Sequence, residues 1–317
     1  MKNQVVLVTG GSGFVGSHLL ELLQINLDLE LHATTYGRVD TELQNLLPRV
    51  KFHHLDLTQF EPTVELIKTL SPNQIYHLAS FAAVGSSFTH APKIMVNNIS
   101  LQLSLLEAVR VGSPKAKILI ISSAEVYGLS QVDEIPISEA HPYRPLNPYA
   151  VSKLSQDMLA YAYGQSYHIP IVRVRPFNHI GERQTEGFVV PEFAKQIAEI
   201  EVGKRAELLV GNLDAVRDFS DVLDVVRAYQ LMMTKGQAGE VYNLGSGIGT
   251  TIAVILDMLV KQAKVKIQVK VDPERLRPSD LPVMIADATK LRALGWQPSI
   301  PLETTLNRVL DYWRKIV

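Results

Sequence analysis

Cysteine is absent from the 317 residues, which removes disulfides, thiolate metal sites and cysteine nucleophiles from consideration. No lysine/arginine block stands out and the formal net charge is only −1. A nucleic-acid surface or a polybasic membrane anchor is therefore not expected. No apolar stretch reaches the ~20 residues of a spanning helix. The first residues, Met1-Lys2-Asn3-Gln4, carry no apolar run or small-residue cleavage site of a signal peptide, so a cytoplasmic location is expected. Internal repeats and low-complexity tracts are also missing. What is present is an ordinary globular composition, 46% hydrophobic and 20% charged, in a chain long enough for one large domain or two unequal lobes.

Gln4–Thr9 (QVVLVT) is a short continuous apolar run, the pattern of a parallel strand buried on both faces. It leads into Gly10-Gly11-Ser12-Gly13-Phe14-Val15-Gly16 and a helical pattern over 15–23. Two glycine registers fit, Gly11-x-Gly13-x-x-Gly16 and Gly10-x-x-Gly13-x-x-Gly16. Glycines in this place permit a tight turn, close approach of a pyrophosphate and helix–strand packing, with the helix N-terminus meeting the negative charge. The strand–turn–helix context marks a dinucleotide site rather than a structural turn, with Gly10, Gly13, Phe14, Val15 and Gly16 as its contacts. The second strand, 31–36, ends at Gly37-Arg38 with no Asp or Glu before Asp40 to bind the ribose hydroxyls of NAD. Arg38 is suited to the 2′-phosphate of NADP, although a surface loop arginine reads the same way, so NADP(H) is favoured and NAD(H) is the alternative.

A third strand, 50–55, ends at Asp56-Leu57, placed to approach an adenine. A helix over 61–70 and a fourth strand over 74–78 follow. That strand ends in His77-Leu78-Ala79-Ser80, where small residues admit a cofactor and His77 reads as packed. After a break at Ala91-Pro92, 94–109 carries a long apolar stripe at helical spacing. The fifth strand, 116–121, delivers Ser122-Ser123-Ala124-Glu125-Val126-Tyr127-Gly128. This regular β-α repeat predicts an α/β fold, a Rossmann-type doubly wound parallel sheet.

Asn147-Pro148 is an N-cap followed by a proline suited to the first helical position, so a helix is expected to begin there and run to about Tyr167. Tyr149 and Lys153 then share one face. A phenol titrating near ~10 is a poor proton carrier at neutral pH, and an ammonium one turn away favours its phenolate. Tyr-x-x-x-Lys alone usually means a core-edge tyrosine and a solvated lysine. Here the glycine turn and the Ser-Ser strand end reverse that reading. A sixth strand over 169–174 reaches Arg175-Pro176-Phe177-Asn178-His179. Beyond it loops lengthen and helices over 190–201, 223–233, 252–261 and 302–314 alternate with short strands. Residues 1–175 are therefore read as the dinucleotide-binding part, which later segments rejoin. Residues 176–317 are read mainly as a smaller α/β lobe over the carboxyl edge of the sheet.

These motifs resemble the extended short-chain dehydrogenase/reductase superfamily over essentially the full length. They are Thr9-Gly10-Gly11-Ser12-Gly13-Phe14-Val15-Gly16, His77-Leu78-Ala79, the segment from Ser122 to Gly128, and Tyr149-Ala150-Val151-Ser152-Lys153. Residues 173–181 (RVRPFNHIG), 187–201 (GFVVPEFAKQIAEIE), 272–282 (DPERLRPSDLP) and 294–298 (LGWQP) are similar to GDP-6-deoxy-4-keto-D-mannose reductases, which form GDP-D-rhamnose. Asn98 matches the superfamily's structural asparagine. Leu101 and Gln102 stand where Gly-Thr is usual, so that helix, and the two-helix homodimer face common in the superfamily, is expected to pack differently.

The resemblance implies that Tyr149 is the acid/base, that Lys153 holds the nicotinamide ribose and lowers the Tyr149 pKa, and that Ser123 hydrogen-bonds the reacting oxygen. It also implies NADPH as hydride donor to C4 of a GDP-linked keto-sugar, and cofactor contacts at Ser122 and Pro176. The second lobe is expected to supply the substrate site. Arg217 and Arg277 suit the diphosphate, a planar guanidinium favouring bidentate contacts; surface ion pairs are their plain alternative. Glu274 is expected at a guanine or ribose edge, Asn178 at substrate or nicotinamide, and Phe188 and Val189 in the nucleotide pocket. Glu125 stands where 4,6-dehydratases carry a proton-transferring Glu, so GDP-mannose 4,6-dehydratase is the alternative and an epimerase the third. A dinucleotide-sensing scaffold is the non-enzyme reading, disfavoured because Ser123, Tyr149 and Lys153 occur together.

Overall fold

A computed structural model of the chain describes residues 4–82, 88–275 and 281–317. Its first half alternates strands and helices: β1 (Gln4–Thr9), α1 (Phe14–Leu23), β2 (Leu29–Thr35), α2 (Thr41–Leu46), β3 (Val50–His54), α3 (Phe60–Leu70), β4 (Gln74–His77), α4 (Ala91–Gly112), β5 (Lys117–Ile121), α5 (Pro148–Tyr167) and β6 (Ile171–Pro176). The strands pair in parallel in the order β3-β2-β1-β4-β5-β6. The apolar run of β1 explains its central place. Val6 and Val8 point into a core with Leu19, Leu20 and Leu23 of α1, while Leu7 points into the opposite core with Ile67 of α3 and Leu105, Leu106 and Val109 of α4. Both faces are buried, which requires a continuous apolar strand rather than an alternating one.

Two expectations change in detail. Pro92 does not interrupt the chain; it lies in the first turn of α4, where its missing N–H would be unpaired anyway. The sixth strand continues through Arg175 to Pro176, because both arginines have buried partners. At Leu101 and Gln102, α4 lies closely against α5. Asn98 Nδ2 donates to Ser152 Oγ (3.0 Å), Gln156 Nε2 donates to the Asn98 carbonyl (2.7 Å), and Gln102 Nε2 donates to the Gln156 carbonyl (2.6 Å).

The later chain forms β7 (Asn178–Ile180), α6 (Val189–Glu201), β8 (Leu208–Val210), β9 (Val216–Asp221), α7 (Val222–Lys235), β10 (Val241–Leu244), β11 (Gly249–Thr251), α8 (Ile252–Lys261), β12 (Val269–Val271), β13 (Val283–Met284), α9 (Thr289–Ala293) and α10 (Leu302–Ile316). Strand β10 returns to the large sheet as its seventh strand, parallel to β6, and α7 packs beside α1 through Val225, Val226 and Met232. The other strands form small sheets around β9 and β8. A separate core of α6, α8 and α10 gathers Val190, Phe193, Ile197, Leu259, Leu306 and Trp313. Along α10 the buried residues Thr305, Leu306, Val309, Leu310 and Trp313 recur at helical period.

Candidate active site

The chain order reverses between β1 and β4, and the carboxyl ends of these strands are where an open α/β sheet binds ligands. Gly10 has φ +68°, and a Cβ there would lie 3.0 Å from the Ala79 backbone at the end of β4. A Cβ on Gly16 would come within 2.3 Å of the Gly10 carbonyl. The turn thus holds α1 directly against the strand ends. Gly13 is the N-cap of α1 and offers no side-chain cap. Among the described residues, no acceptor reaches the N–H groups of Phe14, Val15 or Gly16. These unpaired donors at an exposed glycine suit the pyrophosphate of a dinucleotide.

The flanking strand ends complete this cradle. Ser12 Oγ and Thr35 Oγ1 are hydrogen-bonded at 2.8 Å. Arg38 lies exposed beyond β2, without an ion pair or hydrogen bond among the described residues. Asp56 accepts from Thr58 N (2.9 Å) and Thr58 Oγ1 (2.7 Å), and Leu57 is buried. Leu78 and Ala79 are half-buried, and the Ser80 hydroxyl is buried with no hydrogen-bond partner among the described residues. His77 bonds Thr9 Oγ1 through Nδ1 (2.8 Å); burial, with the nearby Lys153 charge, brings its pKa down to about 3. Pro176 closes β6 and is buried.

Tyr149 and Lys153 lie in the first turns of α5, which Asn147 caps by accepting from Ala150 N (2.8 Å). Tyr149 is 9% exposed and Lys153 3%. Burial pushes the phenol pKa up; the nearby Ser123 hydroxyl opposes the rise, and the Glu125 charge adds to it. The Lys153 ammonium donates to the Ile121 carbonyl and to Gln156 Oε1, both at 2.6 Å. Burial brings the Lys153 pKa down to about 7, with Asp157 acting in the other direction. Ser123 Oγ also accepts from Glu125 N (3.2 Å), starting a short helical turn, and Asn147 Nδ2 donates to Glu125 Oε2 (3.0 Å). Ser122 is buried on the side of Asp157.

The residues expected to bind substrate are more scattered. Asn178 is exposed in β7, and Phe188 and Val189 are half-buried at the start of α6. Arg217 Nη1 donates to the Leu281 carbonyl (2.6 Å) and to its neighbour Val216 (2.9 Å). Glu274 is exposed in a short turn over Pro273–Arg275. Arg277 lies outside the described residues.

Two supporting networks escaped the motif reading. Asp157 is fully buried and accepts from Arg173 Nη1 (2.8 Å) and Arg175 Nε (2.8 Å). Burial alone would raise its pKa, but the two arginines hold it low. Arg175 continues to the hydroxyls of Tyr127 (3.0 Å) and Tyr143 (2.6 Å), so the buried ion pair anchors the loop that carries Glu125. Its signal was available: two arginines two apart in a buried strand, and a single acid, Asp157, in α5. In the second network Arg183 donates to Ser17 Oγ (3.0 Å), His18 Nδ1 (2.7 Å) and Glu21 Oε2 (3.0 Å), while His18 Nε2 meets the Glu182 carbonyl (2.9 Å). With arginine donating to Nδ1, His18 is the neutral Nε2–H tautomer. This network, and the Phe14–His179 ring stack at 6.0 Å, bind the segment 179–183 to the helix of the glycine turn.

The family model described as GDP-mannose 4,6 dehydratase matches residues 7–309. The chain belongs to this family. It is 34% identical over 316 residues to the GDP-6-deoxy-D-mannose reductase of Pseudomonas aeruginosa, covering 99% of this chain and 98% of that one. The solved structure of RMD from Pseudomonas aeruginosa complexed with NADPH superposes with a TM-score of 0.84 at 32% identity, covering 99% of this chain and all of that one. UDP-glucose 4-epimerase of Thermus thermophilus, in complex with NAD, superposes at 0.87 with 29% identity and 99% and 100% coverage. The chain is thus an extended short-chain dehydrogenase/reductase enzyme, with the Rossmann-type fold expected from its motifs.

Proposed function

We propose that the chain reduces the C4 keto group of a GDP-4-keto-6-deoxyhexose with NAD(P)H, forming GDP-6-deoxy-D-mannose (GDP-D-rhamnose). The observation that carries this reading is the buried Tyr149 phenol near Ser123, on the same helix as the buried Lys153. It occurs in a chain similar over nearly its whole length to a reductase of that sugar. When bound, the dinucleotide supplies the hydride. NADP(H) is favoured by Arg38 and by the NADPH of the Pseudomonas structure, with NAD(H) the alternative.

In this assignment the N–H groups at Phe14, Val15 and Gly16 hold the pyrophosphate. Arg38, Asp56 and Leu57 face the adenosine end, and residues 78–80, Ser122 and Pro176 border the nicotinamide end. Lys153 holds the ribose. Ser123 donates to the oxyanion developing at C4, and Tyr149 delivers the proton. Arg217 and Arg277 take the diphosphate, Glu274 a guanine or ribose edge, and Asn178, Phe188 and Val189 the rest of the substrate. Residues 1–175, completed by β10, are the dinucleotide part and 176–317 mainly the sugar-nucleotide part of a cytoplasmic homodimer.

Glu125 favours a second reading, GDP-mannose 4,6-dehydratase, the description of the matching family model. NADPH absorbance with GDP-4-keto-6-deoxy-D-mannose, run beside GDP-mannose, separates the two. Stoichiometric NADPH loss with the keto-sugar, abolished in Tyr149→Phe, supports the reductase. Keto-sugar formed from GDP-mannose without net NADPH loss overturns it.

A further inference from the structure

The Lys153 ammonium has three N–H donors, and the protein takes two of them, through the Ile121 carbonyl and Gln156 Oε1, each at 2.6 Å. Gln156 is completely buried and fixed from α4. Its Nε2 donates to the Asn98 carbonyl (2.7 Å), and its own carbonyl accepts from Gln102 Nε2 (2.6 Å). Because the Asn98 carbonyl only accepts, the amide has one workable orientation: Nε2 toward α4 and Oε1 toward the lysine. The charged and titratable groups around Lys153 are Asp157 and Tyr149 on α5, Glu125 beyond Tyr149, and His77 on β4. Arg173 and Arg175 of β6 face Asp157 and neutralise it. None of these is hydrogen-bonded to Nζ, so the Gln156 amide is the side chain that sets where the ammonium points.

We infer that Gln156 is a positioning residue for Lys153: together with the Ile121 carbonyl it fixes two N–H directions and leaves the third for the bound ligand. The inference rests on the reading of Lys153 as a ligand-holding residue of a dehydrogenase-type site. It gives the atypical Gln102 a purpose. Its bond to the Gln156 carbonyl holds α5 in register with α4, so that the amide reaches both Asn98 and Lys153.

The test uses the full chain and two variants. Gln156→Met keeps length and burial but removes acceptor and donor; Gln156→Glu keeps an acceptor and adds charge. NADPH binding is titrated across pH without any sugar, and thermal unfolding is recorded for each protein. Gln156→Met is expected to weaken NADPH about tenfold at pH 8, through loss of a charge-assisted bond. Its pH midpoint for binding falls, since an acceptor of the ammonium is gone, while Gln156→Glu raises that midpoint. With the keto-sugar, KM stays near native in Gln156→Met and kcat falls. Midpoints unmoved in both variants, whatever the unfolding temperatures, would overturn the inference and leave Gln156 a structural residue. Should Gln156→Met not fold, the direction of the Gln156→Glu midpoint decides alone. Failure of the native protein to turn over the keto-sugar sinks the reductase reading but leaves the binding midpoints to judge Gln156.

Discussion

Gly13→Ala separates what the glycine turn does for the fold from what it does for a ligand. Gly13 has φ −78° and ψ 174°, a conformation open to any residue, and is exposed. An added Cβ meets only the Gly10 carbonyl, at 3.2 Å, so a shift of a few tenths of an ångström accommodates it. Alanine is a poorer N-cap than glycine, and the stability cost should be about 0.5–1 kcal/mol. An N-cap side chain lies beside the N–H groups of the first turn, so the methyl is expected to crowd an anion held by Phe14, Val15 and Gly16. A hydrogen bond to a charged acceptor contributes about 1.5–3 kcal/mol, so displacing a phosphate from two of them costs about 3–6 kcal/mol. That is a loss on the order of 10²–10⁴ in NADPH affinity. Fluorescence titration of NADPH beside urea unfolding makes the comparison. Gly16→Ala is the control in the other direction, because its Cβ would lie 2.3 Å from the Gly10 carbonyl and should disturb folding itself. Native NADPH affinity in a folded Gly13→Ala protein would refute the assignment of this helix end to the pyrophosphate.

Glu125→Gln keeps an acceptor for Asn147 but removes the charge that raises the Tyr149 pKa. Keto-sugar reduction should change less than about tenfold, whereas loss of a general base would cost about 10²–10⁴ in a dehydratase; a loss of that size in the reduction assay defeats the proposed role. Asp157→Asn leaves Arg173 and Arg175 buried without their counter-charge, and a cost of about 3–5 kcal/mol is expected in urea unfolding. A cost below about 1 kcal/mol would show that the network is not held by charge. His77 is kept neutral in the fold, with its pKa near 3 against 6.5 when unfolded. The unfolded chain therefore binds the extra proton, and stability present above pH 6.5 is lost as pH falls, about 2 kcal/mol by pH 5 from this group. His77→Asn should shrink the difference between urea midpoints at pH 7.5 and pH 5, and an undiminished difference counts against it.

The sheet was legible because its strands obey one rule. QVVLVT can only be satisfied between two helical layers, and its bounds, Gln4–Thr9, are those of β1. The candidate site was legible where its residues are local in sequence: the glycine turn between β1 and α1, Ser123 at the end of β5, and Tyr149 with Lys153 in the first turns of α5. It was not legible where a residue acts through another element. Lys153 and Tyr149 share a helical face, yet the ammonium turns toward Ile121 and Gln156 because α4 fixes the amide that receives it. Helical spacing gives proximity along one element and says nothing of the acceptors a neighbouring helix presents. Asp157 needed a similar cross-element step, from the two arginines of β6 to the lone acid of α5.

The groups Ser123, Glu125, Tyr149 and Lys153 serve a reductase or a dehydratase equally well by inventory. They differ in where the proton must start. Reduction of a ketone needs a donor that is protonated before the reaction begins and gives its proton to an alkoxide, a much stronger base than any phenolate. Oxidation of a C4 hydroxyl, the opening step of a dehydratase or a 4-epimerase, needs a phenolate already formed. Burial and the Glu125 charge move Tyr149 toward the protonated form while Ser123 opposes them, and the Lys153 ammonium is bonded to the Ile121 carbonyl and Gln156. With Glu125 held by Asn147, the same carboxylate that suggests a dehydratase by position acts by its charge to keep the phenol an acid. The chain's own groups therefore hold the proton on Tyr149, the state from which a C4 reductase delivers it.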